Sequence, residues 1–149
     1  MPITPQTTVN VRYMVADVEA AVVWYTTHLG FTVLSKAAPA FANVSLGSRL
    51  LLSGPANSAG RPMPDGRRPG PGGWNRIHLL VEDLAGEVAR LRAAGVQFRS
   101  DIVTGPGGSQ ILLTDPSGNL VELFQRLKSQ LREPTHHVAT QSPESEAQE

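Results

Sequence analysis

Glu122 is the residue of this sequence whose neighbours most clearly raise a chemical question. It is the one polar residue between Leu120 and Phe124, in a segment otherwise made of Leu, Val, Leu and Phe. Burying a carboxylate without a partner costs several kcal/mol. We therefore expect a cation, a proton or a water-filled cavity beside Glu122.

Two stretches elsewhere in the chain carry polar side chains that alternate with apolar ones. Thr8–Val15 and Arg76–Val81 each read as a strand with one face on the core. The polar positions that point away from that core are Asn10 and Arg12 in the first stretch, and Arg76 and His78 in the second. These side chains, together with Glu122, are the candidates for a binding or catalytic site.

Each candidate has a chemical role and a simpler structural one. Arg76 is a cationic partner for Glu122. The two residues form either a salt bridge without a chemical role or a functional pair. His78 suits proton transfer at neutral pH, so His78 and Glu122 are the candidate catalytic acid and base; a histidine satisfied by hydrogen bonds is the simpler reading. Trp74 offers a ring for stacking on a ligand, or plain packing.

The elements that position these residues follow the order β-α-β-β-β, twice. Asp17 and Asp83 are good helix N-caps, and Gly30 and Gly95 stop the helices that follow them. The two Asp positions lie 66 residues apart and the two Gly positions 65 apart, which indicates a tandem repeat. The three strands predicted after each helix are Phe31–Ser35, Ala40–Leu46 and Arg49–Ser53 in the first half, and Val96–Ile102, Gln110–Thr114 and Asn119–Gln125 in the second.

The chain boundaries follow from changes in composition. We predict a single domain at 8–125, with a first module at 8–53, a linker at 54–73 and a second module at 74–125. Eleven of the 21 residues from Ser53 to Gly73 are Gly or Pro, which is typical of an extended linker. Residues 126–149 form a polar tail that we expect to be partly disordered. Asp115-Pro116-Ser117-Gly118 predicts a type I turn that joins the last two strands.

Composition excludes several classes of protein. The formal net charge is zero and no basic run could follow a phosphate backbone, so we expect no nucleic-acid partner. The chain has no cysteine, which excludes thiolate metal sites and suits a reducing cytosol. It shows no signal-peptide pattern and no long apolar span, so we expect a cytoplasmic protein that does not interact with membranes.

The repeat and its motifs resemble the vicinal oxygen chelate superfamily, which includes glyoxalases, bleomycin-resistance proteins and extradiol dioxygenases. The resemblance rests on VADVEAAVVWYTTHLGF at 15–31, VEDLAGEVARLRAAGVQF at 81–98 and LTDPSGNLVELF at 113–124. It implies an α+β fold of tandem βαβββ modules, whose curved mixed sheets enclose a ligand cavity lined by the candidate side chains. It says little about the reaction, because the chemistry of this family varies widely.

The resemblance also implies where a metal would be held in metal-dependent members. The four positions correspond to Asn10, Arg76, Glu122 and one residue within Arg49–Ser53, where no carboxylate, Gln or His exists. A guanidinium has no lone pair to give to a cation, so Arg76 cannot serve. We therefore predict no metal and no cofactor.

Three functions remain open from the sequence. The first is a binding protein that sequesters a small organic ligand in a metal-free cavity, through Asn10, Arg12, Arg76 and Trp74. The second is a metal-independent lyase or isomerase in which His78 and Glu122 act as acid and base, while Arg76 or Arg12 steadies an anion. The third is a metal-dependent glyoxalase or dioxygenase with a relocated site. We expect a homodimer in each case, because open curved sheets leave edges and apolar surface to cover.

Overall fold

A computed structural model of the chain describes residues 2–127. The chain divides into two compact units. Among the described residues, the first unit comprises residues 2–75 together with Asp115–Asn119, and the second comprises Arg76–Thr114 and residues 120–127. The predicted tail, apart from Arg126 and Leu127, lies outside the described residues.

The first unit is a four-stranded sheet with one helix. Its elements in chain order are β1 (Val11–Met14), α1 (Val18–Leu29), β2 (Thr32–Ala37), β3 (Phe41–Leu46) and β4 (Ser48–Ser53), followed by a single 3₁₀ turn at Ser58–Gly60. The strand order is β1-β4-β3-β2, with β1 parallel to β4 and the other pairs antiparallel.

Local sequence signals set the ends of α1. The Asp17 carboxylate accepts a hydrogen bond from the Ala20 amide at 3.1 Å, and Gly30 adopts a left-handed φ of 77° that ends the helix. The helix packs its apolar side on one face of the sheet, and the buried apolar side chains of this unit are Tyr13, Val15, Val18, Ala21, Val22, Tyr25, Phe31, Ala42, Val44, Leu50 and Leu52.

The second unit repeats this architecture. Its elements are β5 (Arg76–Leu80), α2 (Leu84–Ala93), β6 (Val103–Gly105), β7 (Gly108–Thr114) and β8 (Leu120–Arg126), with strand order β5-β8-β7-β6. Strands β5 and β8 run parallel, and the remaining pairs are antiparallel. Its buried apolar side chains are Leu84, Val88, Leu91, Val96, Ile111, Leu113, Leu120, Val121, Leu123 and Phe124.

The α+β fold of two β-α-β-β-β repeats is confirmed. Each opening strand pairs with the closing strand of its own repeat, as the fold requires. No helix within residues 2–127 is long and apolar enough to cross a membrane.

One predicted strand is misplaced. The segment Val96–Ile102 meets β7 at one bridge, between Phe98 and Leu113, with a backbone hydrogen bond on either side of it, and the sixth strand lies later, at Val103–Gly105. The Ser100 hydroxyl accepts the hydrogen bond of the Leu112 amide at 3.0 Å, so a side chain takes the place of a backbone partner and interrupts the ladder. The eighth strand also continues through Arg126, which is the first residue of the predicted tail.

The predicted turn at Asp115 is present and is anchored within the first unit. The Asp115 carboxylate accepts hydrogen bonds from the Ser117 and Asn119 amides, and also from the Tyr25 hydroxyl at 2.9 Å. The Asn119 side chain donates to the Met14 carbonyl at 2.9 Å and accepts from the Gly72 amide at 2.8 Å. Burial, reinforced by the nearby Asp115 charge, raises the pKa of Tyr25 above its ordinary value, so its hydroxyl stays a donor.

Candidate functional site

The candidate residues of the second unit lie on the face of its sheet opposite α2, which we call the helix-free face of the second sheet. Strand alternation places Val121, Leu123 and Gln125 on the α2 side, where Gln125 accepts a hydrogen bond from the Leu84 amide. On the other side, His78 stands opposite Glu122 and Arg76 stands opposite Leu120. The parallel register therefore brings the three predicted polar side chains onto one face.

Arg76 and Glu122 form an ion pair. The Arg76 Nε donates to Glu122 Oε1 at 3.1 Å, while the Glu122 side chain is only 9% exposed and that of Arg76 is 30% exposed. A carboxylate at this depth needs a counter-charge, and the guanidinium supplies it with a directed hydrogen bond. The ion pair with Arg76 therefore explains how a charged Glu122 is tolerated in an apolar strand.

His78 lies beside the same carboxylate. Its Nε2 is 3.8 Å from Glu122 Oε2, which is longer than a hydrogen bond, and its ring lies 5.0 Å from that of Phe124 at a tilt of 36°. The side chain is 35% exposed, so a molecule bound on this face can reach it. The geometry suits a group that contacts a ligand or exchanges a proton with it.

Arg12 occupies the position in the first unit that His78 occupies in the second. It stands opposite Leu51 in the parallel pairing of β1 with β4, on the face of that sheet opposite α1. Its Nη1 donates to the hydroxyl of fully buried Ser53 at 2.8 Å, and at 3.5 Å to the Asn57 Oδ1 that also caps the 3₁₀ turn. Sequence reasoning missed Ser53 and Asn57. Ser53 lies two residues after Leu51 on the same strand, so alternation could have suggested it.

Asn10 and Trp74 both lie just outside the strands that carry the other candidate residues. Asn10 is exposed and precedes β1, and Trp74 is 64% exposed before β5. The roles predicted for them in ligand binding stay predictions.

Asn43 is a polar residue that is not among the site candidates predicted from the sequence. Its side-chain oxygen is buried and accepts no hydrogen bond from the described part of the chain. It stands opposite Leu51 in the pairing of β3 with β4, on the same face as Arg12. Leaving such an acceptor unsatisfied costs about 1–3 kcal/mol.

The residues present do not fit the four-ligand metal site that the family resemblance implies. Because Glu122 pairs with His78 and the repeat places Arg12 where His78 stands, the first-sheet counterpart of Glu122 is Leu51, which has no donor atom. Arg76 stands at another of the four positions, and its guanidinium cannot coordinate a cation. Within residues 2–127, no three side chains of His, Asp or Glu come together as a metal would need.

Comparison with known proteins gives one family match and many similar folds. A family model described as the Glyoxalase/Bleomycin resistance protein/Dioxygenase superfamily matches residues 7–123. No curated protein matches the chain significantly.

Several solved structures share the fold. A lactoylglutathione lyase from Agrobacterium tumefaciens is 22% identical with a TM-score of 0.65, covering 81% of this chain and 94% of its own. A superfamily member from Nocardioides is 26% identical with a TM-score of 0.64, covering 85% and 87%. An antibiotic-binding protein from a Streptomyces species is 24% identical with a TM-score of 0.62, covering 84% and 100%.

The chain therefore belongs to the glyoxalase, bleomycin-resistance protein and dioxygenase superfamily, since the family model spans most of its length.

Proposed function

We propose that this member of the superfamily binds a small organic molecule on the helix-free face of its second sheet, without a metal ion. The observation that carries the proposal is the ion pair of Arg76 and Glu122 at 3.1 Å. In the family resemblance, both positions belong to a metal site. Here one of them holds a permanent cation that already engages the remaining carboxylate, so the ligand would meet side chains only.

The surroundings of the ion pair support an organic ligand. His78 and Phe124 present rings next to the carboxylate, and Leu80, on the same face, is 51% exposed. Apolar and aromatic surface with a few fixed polar groups is the usual lining of a small-molecule site. The Streptomyces relative described as antibiotic-binding shows that the fold can serve this purpose, although its identity of 24% supports the fold alone.

The test combines a metal measurement with a binding measurement. We expect elemental analysis of untagged, dialysed protein to find well under one divalent ion per chain. We expect calorimetric titration to show saturable binding of metal-free bleomycin or of the neutral dye N-phenyl-1-naphthylamine, with an affinity that EDTA does not change. Failure of both compounds to bind would contradict the proposal. So would a full equivalent of metal that survives dialysis and is lost in Glu122→Ala.

A metal-independent enzyme is the second candidate, favoured by the 3.8 Å approach of His78 to Glu122. A histidine next to a carboxylate can act as general acid or base, and removing such a group typically lowers a rate by roughly 100- to 10,000-fold while binding persists. After incubation of EDTA-treated protein with bleomycin, or with methylglyoxal and glutathione, liquid chromatography coupled to mass spectrometry would reveal conversion. Conversion that disappears in His78→Ala, but not in the control His28→Ala, favours the enzyme. An unaltered compound with a modest change of affinity in His78→Ala favours the binding protein.

A further inference from the structure

We propose that the helix-free face of the first sheet is an anion-binding surface, at which Arg12 and Arg49 hold the negatively charged group of an organic anion. This inference goes beyond the proposed function, because it concerns the first sheet and not the second. It comes from the charges that the fold places on this face.

The sheet register puts the two arginines side by side. Arg12 stands opposite Leu51, and Arg49 precedes Leu51 by two residues on β4, so both side chains leave the same face, opposite α1. Their positions are diagonal neighbours on adjacent strands, a separation that long side chains can span. Both residues are exposed. The Arg12 guanidinium lies toward Ser53, two residues after Leu51, so the Arg49 side chain must extend along β4 for one anionic group to contact both arginines.

No carboxylate of the first unit neutralises these two charges. Asp17 caps α1, Glu19 pairs with Lys36 at 3.2 Å, and Asp65 pairs with Arg67 at 3.4 Å. The fourth acidic residue of the unit, Asp115, accepts hydrogen bonds within its own turn and from Tyr25. The helix-free face of the first sheet therefore carries two positive charges and no negative one.

Arg12 is also fixed in place. Its Nη1 is held by the buried Ser53 hydroxyl and by Asn57, so little side-chain freedom remains to be lost when an anion binds. The Arg49 side chain forms no hydrogen bond or ion pair within residues 2–127 that would compete with a ligand. Arg12, which is held by a buried hydroxyl group, and Arg49, whose side chain makes no competing hydrogen bond in the described part of the chain, are suitable ligands for a carboxylate, sulfonate or phosphate.

The neighbouring side chains indicate the rest of the ligand. Phe41, Met14 and Leu51 share the same face and are partly buried, and Phe41 and Met14 stand opposite Ser53, which offers apolar surface next to the Arg12 guanidinium. A simple inorganic ion would leave that surface unused. The fitting ligand is an anion with an aromatic or aliphatic body.

Two dyes that differ by one charged group test the inference. 8-Anilinonaphthalene-1-sulfonate carries a sulfonate on the same aromatic body that N-phenyl-1-naphthylamine presents without charge. Both are titrated by fluorescence against the wild-type chain and against Arg12→Gln, Arg49→Gln and the double variant. Arg68→Gln is the control, because it removes the same charge from an exposed arginine in the linker. Thermal melting shows which variants are folded, and Arg49→Gln keeps the test valid if Arg12→Gln is not.

We expect the sulfonated dye to bind the double variant at least about tenfold more weakly, because charge-assisted hydrogen bonds to it are lost. The neutral dye should bind all folded variants within about twofold of wild type, and Arg68→Gln should match wild type for both dyes.

Three results would overturn the inference: equal losses for the two dyes, a loss no larger than in Arg68→Gln, or no saturable binding of the sulfonated dye. If the neutral dye or bleomycin still binds in those cases, the proposed binding function stands and only the anionic ligand is wrong.

Discussion

At the scale of single residues, the fold answers the question raised by Glu122 with a specific partner. The carboxylate lies in an apolar strand and is neutralised by Arg76, which reaches it from the parallel neighbour strand. The pair is asymmetric in depth, since Arg76 remains 30% exposed while Glu122 is 9% exposed. Removing Arg76 therefore leaves Glu122, the more deeply buried of the two charges, without its counter-ion. This is more destabilising than the removal of Glu122.

We expect Arg76→Ala to lower the free energy of unfolding by about 2–3 kcal/mol, less than the ~3–5 kcal/mol of a fully buried pair because water screens the exposed arginine. Chemical denaturation would measure the loss. The double variant Arg76→Ala/Glu122→Leu should recover much of it, because no unpaired carboxylate remains. Arg67→Ala, which breaks the exposed pair with Asp65, is the control and should cost less than ~1 kcal/mol. Equal stability of the single and double Arg76 variants would mean that Glu122 does not depend on Arg76.

Tyr25 gives a second prediction, in pH. Its folded-state pKa is raised by burial and by Asp115, so its contribution to stability is complete below the unfolded-state value of about 10 and is lost as the pH rises above it. The unfolded chain releases the proton first, which lowers the free energy of unfolding by about 1.4 kcal/mol per pH unit above pH ~10.

Denaturation of wild type and Tyr25→Phe at neutral pH and near pH 11 checks this. The advantage of wild type should shrink in alkali by about that amount, because Phe has no proton to release. A difference that stays constant with pH would show that Tyr25 titrates normally in the folded protein.

At the scale of elements, the first residue of β7, Gly108, has no room for a side chain beside β8. A Cβ at this position would collide with the backbone oxygen of Gln125, and the φ of 152° is one that L side chains rarely adopt. Gly105 lies opposite Gly108 across the β6–β7 pair, and a Cβ there meets nothing within 4 Å. The pairing of β7 with β8 at this position is thus compatible only with glycine.

We expect Gly108→Ala to lower the free energy of unfolding by at least about 1–3 kcal/mol, because the strands must separate to admit the methyl group. Gly105→Ala should be close to neutral and serves as the matched control. Thermal or denaturant melting of both variants decides the point. A Gly108→Ala protein as stable as Gly105→Ala would mean that the backbone around Gly108 admits a methyl group without cost.

At the scale of the whole molecule, two repeats of one architecture carry different chemistry. The helix-free face of the second sheet holds a neutralised carboxylate beside a histidine, whereas that of the first holds two arginines without a carboxylate. Several large apolar side chains are exposed in the single chain, among them Leu34, Leu46 and Val103. The homodimer and the cytoplasmic location expected from the sequence stay predictions.

Light scattering at micromolar concentration tests the dimer. We expect a mass of twice 15.9 kDa, because pairing of two chains would cover apolar side chains such as these. The strand β2 is a natural contact, since it lies at the edge of its sheet and all six of its residues are exposed. A monomeric mass would contradict this prediction.

The sequence by itself determined the features that depend on near neighbours in the chain. Asp17 and Asp83 capped their helices, Gly30 ended the first, and Asp115 formed the predicted turn, because each acts within a few residues of itself. Strand alternation placed Arg76, His78 and Glu122 on one face for the same reason.

Only the tertiary structure decided what depends on pairing between distant segments. It set the register that joins Arg76 to Glu122, and it brought Arg12 within hydrogen-bonding distance of Ser53 and Asn57. It also moved the sixth strand to Val103–Gly105, because the Ser100 hydroxyl took a hydrogen bond that backbone pairing would otherwise have made. Which of several chemically suitable partners a side chain meets is fixed by long-range packing, and no local pattern encodes that choice.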